Sequence, residues 1–118
     1  MASQANRPRD RIAQLASELV RFRRHRERLL PDGVAGEPAW DLLLILLADK
    51  DSVRYSISGL CRSACMSFTT ALRWTRVLEQ CRLVELTADP HHANRIYVEI
   101  SDHGEALARA CIEIISLE

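Results

Sequence analysis

Long apolar runs are missing from this sequence. The longest, Leu42 to Ala48, is seven residues, whereas a bilayer span takes about 20, and the N-terminus is polar and arginine-rich instead of carrying an apolar signal core. A membrane location is excluded on this reading and a cytoplasmic one is expected. Also missing are a glycine-rich phosphate loop, a Ser-His-acid order in a hydrolase context, and a pair of acids set by helical spacing on a cleft. Catalysis therefore has no positive support, no catalytic residue or cofactor is implied, and the chain is not expected to be an enzyme. The four cysteines have no recognised ligand spacing with His91, His92 or His103, so no metal site is expected. No internal repeat is present, and the only biased tract is the arginine cluster around residues 21–28.

An excess of charge is lacking as well: 16 basic residues balance 16 acidic ones. The distribution is uneven. Residues 1–30 hold eight Arg against three acids (+5), residues 52–82 hold five Arg against Glu79 (+4), and residues 99–118 hold five acids against Arg109 (−4). Phosphate binding depends on the local patch more than on the total, so a neutral chain can still present a basic face. At 118 residues the chain fits a single domain, small enough that dimerisation would add useful burial.

Residues 1–9 read as a flexible tail and 10–118 as one domain. Asp10 is a candidate N-cap for a helix reaching Leu30, along which Ile12, Leu15, Leu19, Phe22 and Leu29 recur at threes and fours, interrupted at Arg26; such a stripe seeks a partner helix. Pro31 to Glu37 form a loop. Pro38-Ala39-Trp40 opens the next helix, and its run from Leu42 to Leu47, apolar nearly all round, is expected at the buried centre.

Ser56 to Glu85 is the most informative stretch. Ile57, Leu60 and Ala64 share one face of a short helix, Cys65-Met66-Ser67 turns the chain with Met66 inward, and Ser67 is placed to cap a second helix. Along that helix Ala71, Trp74, Val77 and Leu78 form a stripe at helical period, while Thr69, Arg73 and Arg76 fall opposite. This is the sequence form of a helix-turn-helix, with hydroxyls and guanidiniums where a major-groove helix needs them. Leu83–Thr87 and Arg95–Ile100 alternate around a turn-rich Ala88–Asn94, which predicts a β-hairpin. Ser101 is the expected N-cap of a terminal helix with Leu107, Cys111, Ile114 and Ile115 at helical spacing.

With these positions in hand, the run from Leu60 through Ser67, Thr69-Thr70-Ala71-Leu72-Arg73-Trp74, Leu78-Glu79 and Leu83-Val84, followed by Asp89-Pro90, Arg95, Val98, Ile100-Ser101 and Gly104, resembles the MarR-type winged-helix transcriptional regulators over about residues 38–110. The resemblance implies a mainly α fold with a small β-hairpin wing, a DNA-binding core at 38–103, and dimerisation helices at 10–30 and 104–117. It implies a homodimer binding double-stranded DNA at a pseudo-palindromic operator, with a small-molecule effector as a further partner and His25 near the dimer interface. Thr69, Thr70, Arg73 and Arg76 would meet the major groove, Ser67 would anchor a phosphate, and Asn94 and Arg95 would act from the wing. Two positions depart from the family pattern. Arg82 stands where the family usually has glycine, and must take up strain or end the helix differently. His92 and Asn94 stand at the family's Asp-x-Arg element, leaving Arg95 as the wing's guanidinium; strand alternation would turn it away from position 94 unless the strand twists there.

Two alternatives stay open. A winged helix can serve as a protein-interaction module without DNA contacts. A regulator can also respond to thiol oxidation, for which Cys65, beside a capped helix and near Arg62, is the redox candidate, against a plainer reading of all four cysteines as small apolar residues. The arginine cluster reads as the solvated face of the first helix, its stems covering apolar neighbours, or else as a second phosphate-contacting surface. Trp40 and Trp74 read as core.

Overall fold

A computed structural model describes residues 8–115. Most of the expected tail, and the last residues of the expected terminal helix, lie outside the described residues. The order of elements is α1 (Pro8–Leu29), α2 (Glu37–Ala48), β1 (Tyr55–Ser56), α3 (Ile57–Ser63), α4 (Phe68–Gln80), β2 (Val84–Ala88), β3 (Ile96–Ile100) and α5 (Asp102–Ile112). No helix among the described residues is long and apolar enough to cross a membrane.

Asp10 is not the cap of α1. Pro8 and Arg9 are already helical, so Asp10 lies inside the helix, in its first described turn, where an acid favours the helix dipole. The core is built around α2, as its all-round apolar run predicts. Leu42 and Leu43 are fully buried, and with Ala39, Trp40 and Leu46 they pack among Ile57, Leu60, Leu78, Leu83, Val84 and Val98. Gly36 caps α2 through its backbone alone, with a proline in the first turn.

The sheet has three strands, ordered β1-β3-β2, all antiparallel. The β2–β3 hairpin agrees with the sequence reading to within a residue. The third strand, in which Tyr55 pairs with Val98 and Ser56 with Tyr97, is an addition to the expected hairpin. It runs straight into α3, for which Ser56 is the N-cap, its Oγ accepting from the Gly59 N–H at 3.0 Å.

Along α4, Ala71 and Leu78 are buried, but Trp74 and Val77 are only half-buried and Thr75 is fully buried. The buried ridge is therefore Ala71, Thr75 and Leu78, tilted one residue from the expected stripe. Within the arginine cluster, Arg21, Arg23, Arg24 and Arg28 are exposed as the solvated reading expects, and Arg26 alone departs from it. At 6% exposed, it fills the position that interrupts the α1 stripe, its guanidinium lying 5.2 Å from the Trp40 ring centroid and 5.7 Å from that of Phe22. Arginine can occupy such a slot because its weakly hydrated, planar head stacks on aromatic faces. Cys111 is also turned inward, fully buried in its own protomer. It thus leaves the outward stripe proposed for the terminal helix, and α5 begins at Asp102 rather than 104.

α3 and α4 both end on a non-glycine residue in the left-handed region, Cys65 at φ 55° and Arg82 at φ 63°. Each closes the same two-bond motif: Met66 N–H to Cys61 O (3.2 Å) with Cys65 N–H to Arg62 O (3.2 Å), and Leu83 N–H to Leu78 O (2.9 Å) with Arg82 N–H to Glu79 O (2.9 Å). Arg82 therefore accepts strain rather than ending α4 by another route. The chain then meets the start of α5 at close quarters. Ser101 N–H donates to Leu83 O at 3.0 Å, Ser101 Oγ donates to Arg82 O at 2.6 Å, and the same Oγ caps α5 by accepting from Gly104 N–H at 2.9 Å. A Cβ on Gly104 would fall on the Leu83 carbonyl.

These two residues make opposite predictions. Gly104→Ala should destabilise the fold by about 3 kcal/mol, as overpacking against fixed backbone does. Arg82→Gly should stabilise it by about 0.5–1 kcal/mol, the relief of left-handed strain less the entropy of glycine. Urea unfolding of both variants checks this; a neutral Gly104→Ala would show that α5 can shift away from α4.

Candidate nucleic-acid interface

The outer surface of α4 is set by its N-terminal cap. Ser67 Oγ accepts from Thr70 N–H at 3.1 Å and donates to Thr70 Oγ1 at 2.9 Å. Both hydroxyls are thus engaged with each other, and Thr70 is half-buried. Thr69, Arg73 and Arg76 are exposed, as the spacing predicts. Arg73 lies over its neighbour Trp74, with 5.4 Å from guanidinium carbon to ring centroid.

Between α4 and the β2–β3 hairpin lies an open groove of about 790 Å³. Phe68, Leu72 and Arg76 enter it from α4 at four-residue spacing, one helical face. Arg62 and Ser58 come from α3, Arg54 from the chain before β1, and His92, Asn94 and Arg95 from the hairpin loop. No acid lines it. None of Arg54, Arg62, Arg76 and Arg95 forms an ion pair among the described residues, whereas Arg21, Arg26, Lys50 and Arg109 do. Four unpaired guanidiniums sharing one concavity repel one another, and a polyanion relieves that repulsion.

Arg95 lies just before β3, so strand alternation does not govern it, and it faces the same groove as Asn94. The loop that carries it is internally tied. Asp89 N–H donates to Arg95 O at 2.9 Å and Arg95 N–H to His92 O at 2.8 Å. The Asp89 carboxylate accepts from His91 N–H at 2.8 Å and from the Tyr97 hydroxyl at 3.2 Å. On the Tyr97 ring sits Arg54, 4.0 Å from the centroid. A continuous chain of contacts therefore runs from the segment before β1, through the central strand, to the hairpin tip. The backbone N–H of His91, joined by the Tyr97 hydroxyl, holds the Asp89 carboxyl below the usual carboxylate range.

Of the cysteines, Cys65 is exposed at its left-handed turn and Cys111 is buried, burial pushing its thiol up; all four are unbridged. The Cys61 thiol donates to Met66 O at 2.9 Å. Among the described residues no three His, Cys, Asp or Glu side chains gather as a metal site. His25 Nε2 lies 3.2 Å from the Ala110 carbonyl and ties α1 to α5.

No family model and no curated protein matches the sequence. Solved structures do match the fold. MepR of S. aureus, in its complex with DNA, superposes with a TM-score of 0.70 at 16% identity, over 87% of this chain and 80% of that one. The fold shared with it is a winged helix. The transcriptional regulator PcaV of Streptomyces coelicolor, with its natural ligand, matches at a TM-score of 0.61 and 15% identity over 91% of this chain and 71% of its own. The heme sensor PefR of Streptococcus agalactiae, with heme, matches at 0.67 and 16% over 92% and 74%.

In the winged-helix frame α3 and α4 are the helix-turn-helix and the hairpin is the wing. Of the residues singled out from sequence, Arg76, Asn94 and Arg95 meet in one groove, Thr69 and Arg73 lie outside its lining, and Ser67 and Thr70 form the cap. Arg54 and Arg62 belong to the groove and were missed, although the +4 segment containing them was the available signal.

Asp89 should therefore govern the order of the wing. The folded state depresses its pKa, so its contribution is complete above the ordinary carboxylate range and is lost as pH falls through the depressed value. Asp89→Ala should speed hydrogen exchange at the His91 amide near neutral pH, where wild type stays protected, and Tyr97→Phe should do so to a lesser degree. Equal exchange in all three proteins would mean that the side chain does not hold the loop.

Proposed function

We propose that this chain is a sequence-specific DNA-binding transcriptional regulator, acting in the cytoplasm as a homodimer on a pseudo-palindromic duplex. One observation carries the reading: the acid-free groove between recognition helix and wing, with Arg54, Arg62, Arg76 and Arg95 unpaired around it. A duplex backbone is the polyanion such a groove fits. In this reading residues 38–103 form the DNA-binding core. Arg73 and Arg76 read base edges with forked donors, Thr69 stands beside them, and the Ser67–Thr70 cap presents the helix N-terminus to a phosphate. Asn94 and Arg95, with Arg54 and Arg62, hold the flanking backbone. MepR, the fold neighbour solved with DNA, supports the partner; PcaV and PefR, solved with their ligands, support a small-molecule effector.

The dimer is argued from α1. Ile12, Leu15 and Leu19 are 66%, 56% and 69% exposed on one stripe, a surface that only another polypeptide would cover. Ile115, exposed at the end of the described chain, extends the apolar surface on the α5 side. α1 and α5, in the segments 10–30 and 104–117 expected from sequence, are thus the proposed dimerisation helices, with Cys111 excluded from the contact.

Selecting bound duplexes from a random pool tests the function directly: a palindromic consensus is expected, and absence of any sequence preference would overturn the reading. On that consensus, Arg76→Ala should lose about 1–3 kcal/mol against operator and less against random DNA. Arg54→Ala, Arg62→Ala and Arg95→Ala should weaken both alike, each reducing the salt slope by about one; titrations across a salt series separate the two classes.

For the oligomer, Leu15→Glu with Leu19→Glu should yield a monomer or a poorly folded chain by sedimentation. A wild-type protein that stays monomeric at high micromolar concentration would remove the dimer.

A further inference from the structure

Of the six aromatic side chains, five are buried or half-buried and Phe68 alone is exposed, at 49%. It is the first residue of α4, directly after the Ser67 cap. Residues at the N-terminal end of a recognition helix are the ones that reach base edges. In this chain the Ser67 hydroxyl is committed to the cap, donating to Thr70 Oγ1 and accepting from the Thr70 amide, while the half-buried Thr70 hydroxyl accepts from it and keeps one proton to donate. The exposed side chains outside the cap at this end are Thr69 and the Phe68 ring. The ring opens the Phe68–Leu72–Arg76 face of α4 toward the groove, among Arg62 and Arg95. Leu72 continues the apolar surface one turn on, so the helix offers the groove two apolar groups before its first guanidinium.

A benzyl group in an arginine-lined groove cannot answer a donor or acceptor on a base edge. The one apolar group in the major groove of unmodified DNA is the C5-methyl of thymine. We propose that Phe68 is a specificity-determining residue that selects thymine at one position of each half-site by burying that methyl against its ring. The proposal rests on the DNA-binding reading above and adds to it a base identity that neither Arg73 nor Arg76 supplies.

The test uses the full-length protein and the consensus duplex from the selection experiment. Each thymine is replaced in turn by deoxyuridine, which keeps the hydrogen-bonding edge and removes only the methyl. At one thymine per half-site the replacement should weaken wild-type binding about fourfold, the weight of one methyl group returned to water. Phe68→Ala should bind the thymine and deoxyuridine duplexes equally, and Phe68→Leu should keep part of the discrimination. Since the ring is half-exposed, both variants should unfold at the wild-type temperature, which circular dichroism verifies. A consensus with no deoxyuridine-sensitive thymine, or sensitivity that persists unchanged in Phe68→Ala, overturns this inference and leaves the DNA-binding reading standing. A selection that yields no consensus overturns both.

Discussion

The backbone junction between Arg82-Leu83 and Ser101 holds the molecule together. Three elements meet there through backbone, with the short Ser101 side chain bridging Arg82 O and the Gly104 N–H. α4 ends on a left-handed arginine, β2 leaves from it, and α5 starts against the Leu83 carbonyl with only the hydrogen of Gly104 between them. Backbone packed against backbone has no rotamers with which to adjust, so the direction of α4 is fixed relative to the sheet and α5 together. α4 and the wing can therefore act as one rigid surface, because β2 follows α4 and pairs with β3 through to Val84 and Ile100.

On that frame the acids lie away from the groove. Cations that serve the fold have carboxylate partners: Lys50 reaches Glu105 at 2.7 Å, and Arg109 shares that acid at 2.8 Å. Arg26 is the extreme case, buried against the Phe22–Trp40 ring pair with a single long contact to Glu37 at 3.5 Å, and its aromatic neighbours do more to hold it than that exposed acid does. The groove guanidiniums lack such partners. A formal charge of zero thus conceals a surface on which the acids have been removed from one face and used elsewhere, and this is why the net value is a poor guide to binding.

Much of the fold could be read from spacing and caps. Ser67 and Ser101 cap as their positions imply, the hairpin strands fall within a residue of their alternation, and the apolar run of α2 is the core. What could not be read depends on contacts distant in sequence. A two-residue strand such as β1 has no alternation to reveal it, and with it the placement of Arg54 over Tyr97 was hidden. Thr75 is buried because the α4 ridge tilts against its neighbours, which side-chain type alone does not show. Arg26 sits on the apolar stripe at the expected period, yet its charge disguised it. At the candidate interface, residue identities pointed to Arg76, Asn94 and Arg95, while Arg62 needed the fold to bring α3 beside the wing. Thr70 also serves the cap, accepting from Ser67 Oγ, a contact that spacing alone did not reveal.

Every cation around the groove is an arginine, and Lys50, the chain's single lysine, lies elsewhere, paired with Glu105. Guanidinium stays protonated at any pH a cell tolerates and is not a substrate for lysine acetylation. Neither a rise in pH within the cellular range nor acylation can therefore discharge these guanidiniums. Under the proposed homodimer reading, control of its affinity for a polyanion falls to geometry, through the spacing of the two copies of α4, and so to α1 and α5, which do not line the groove.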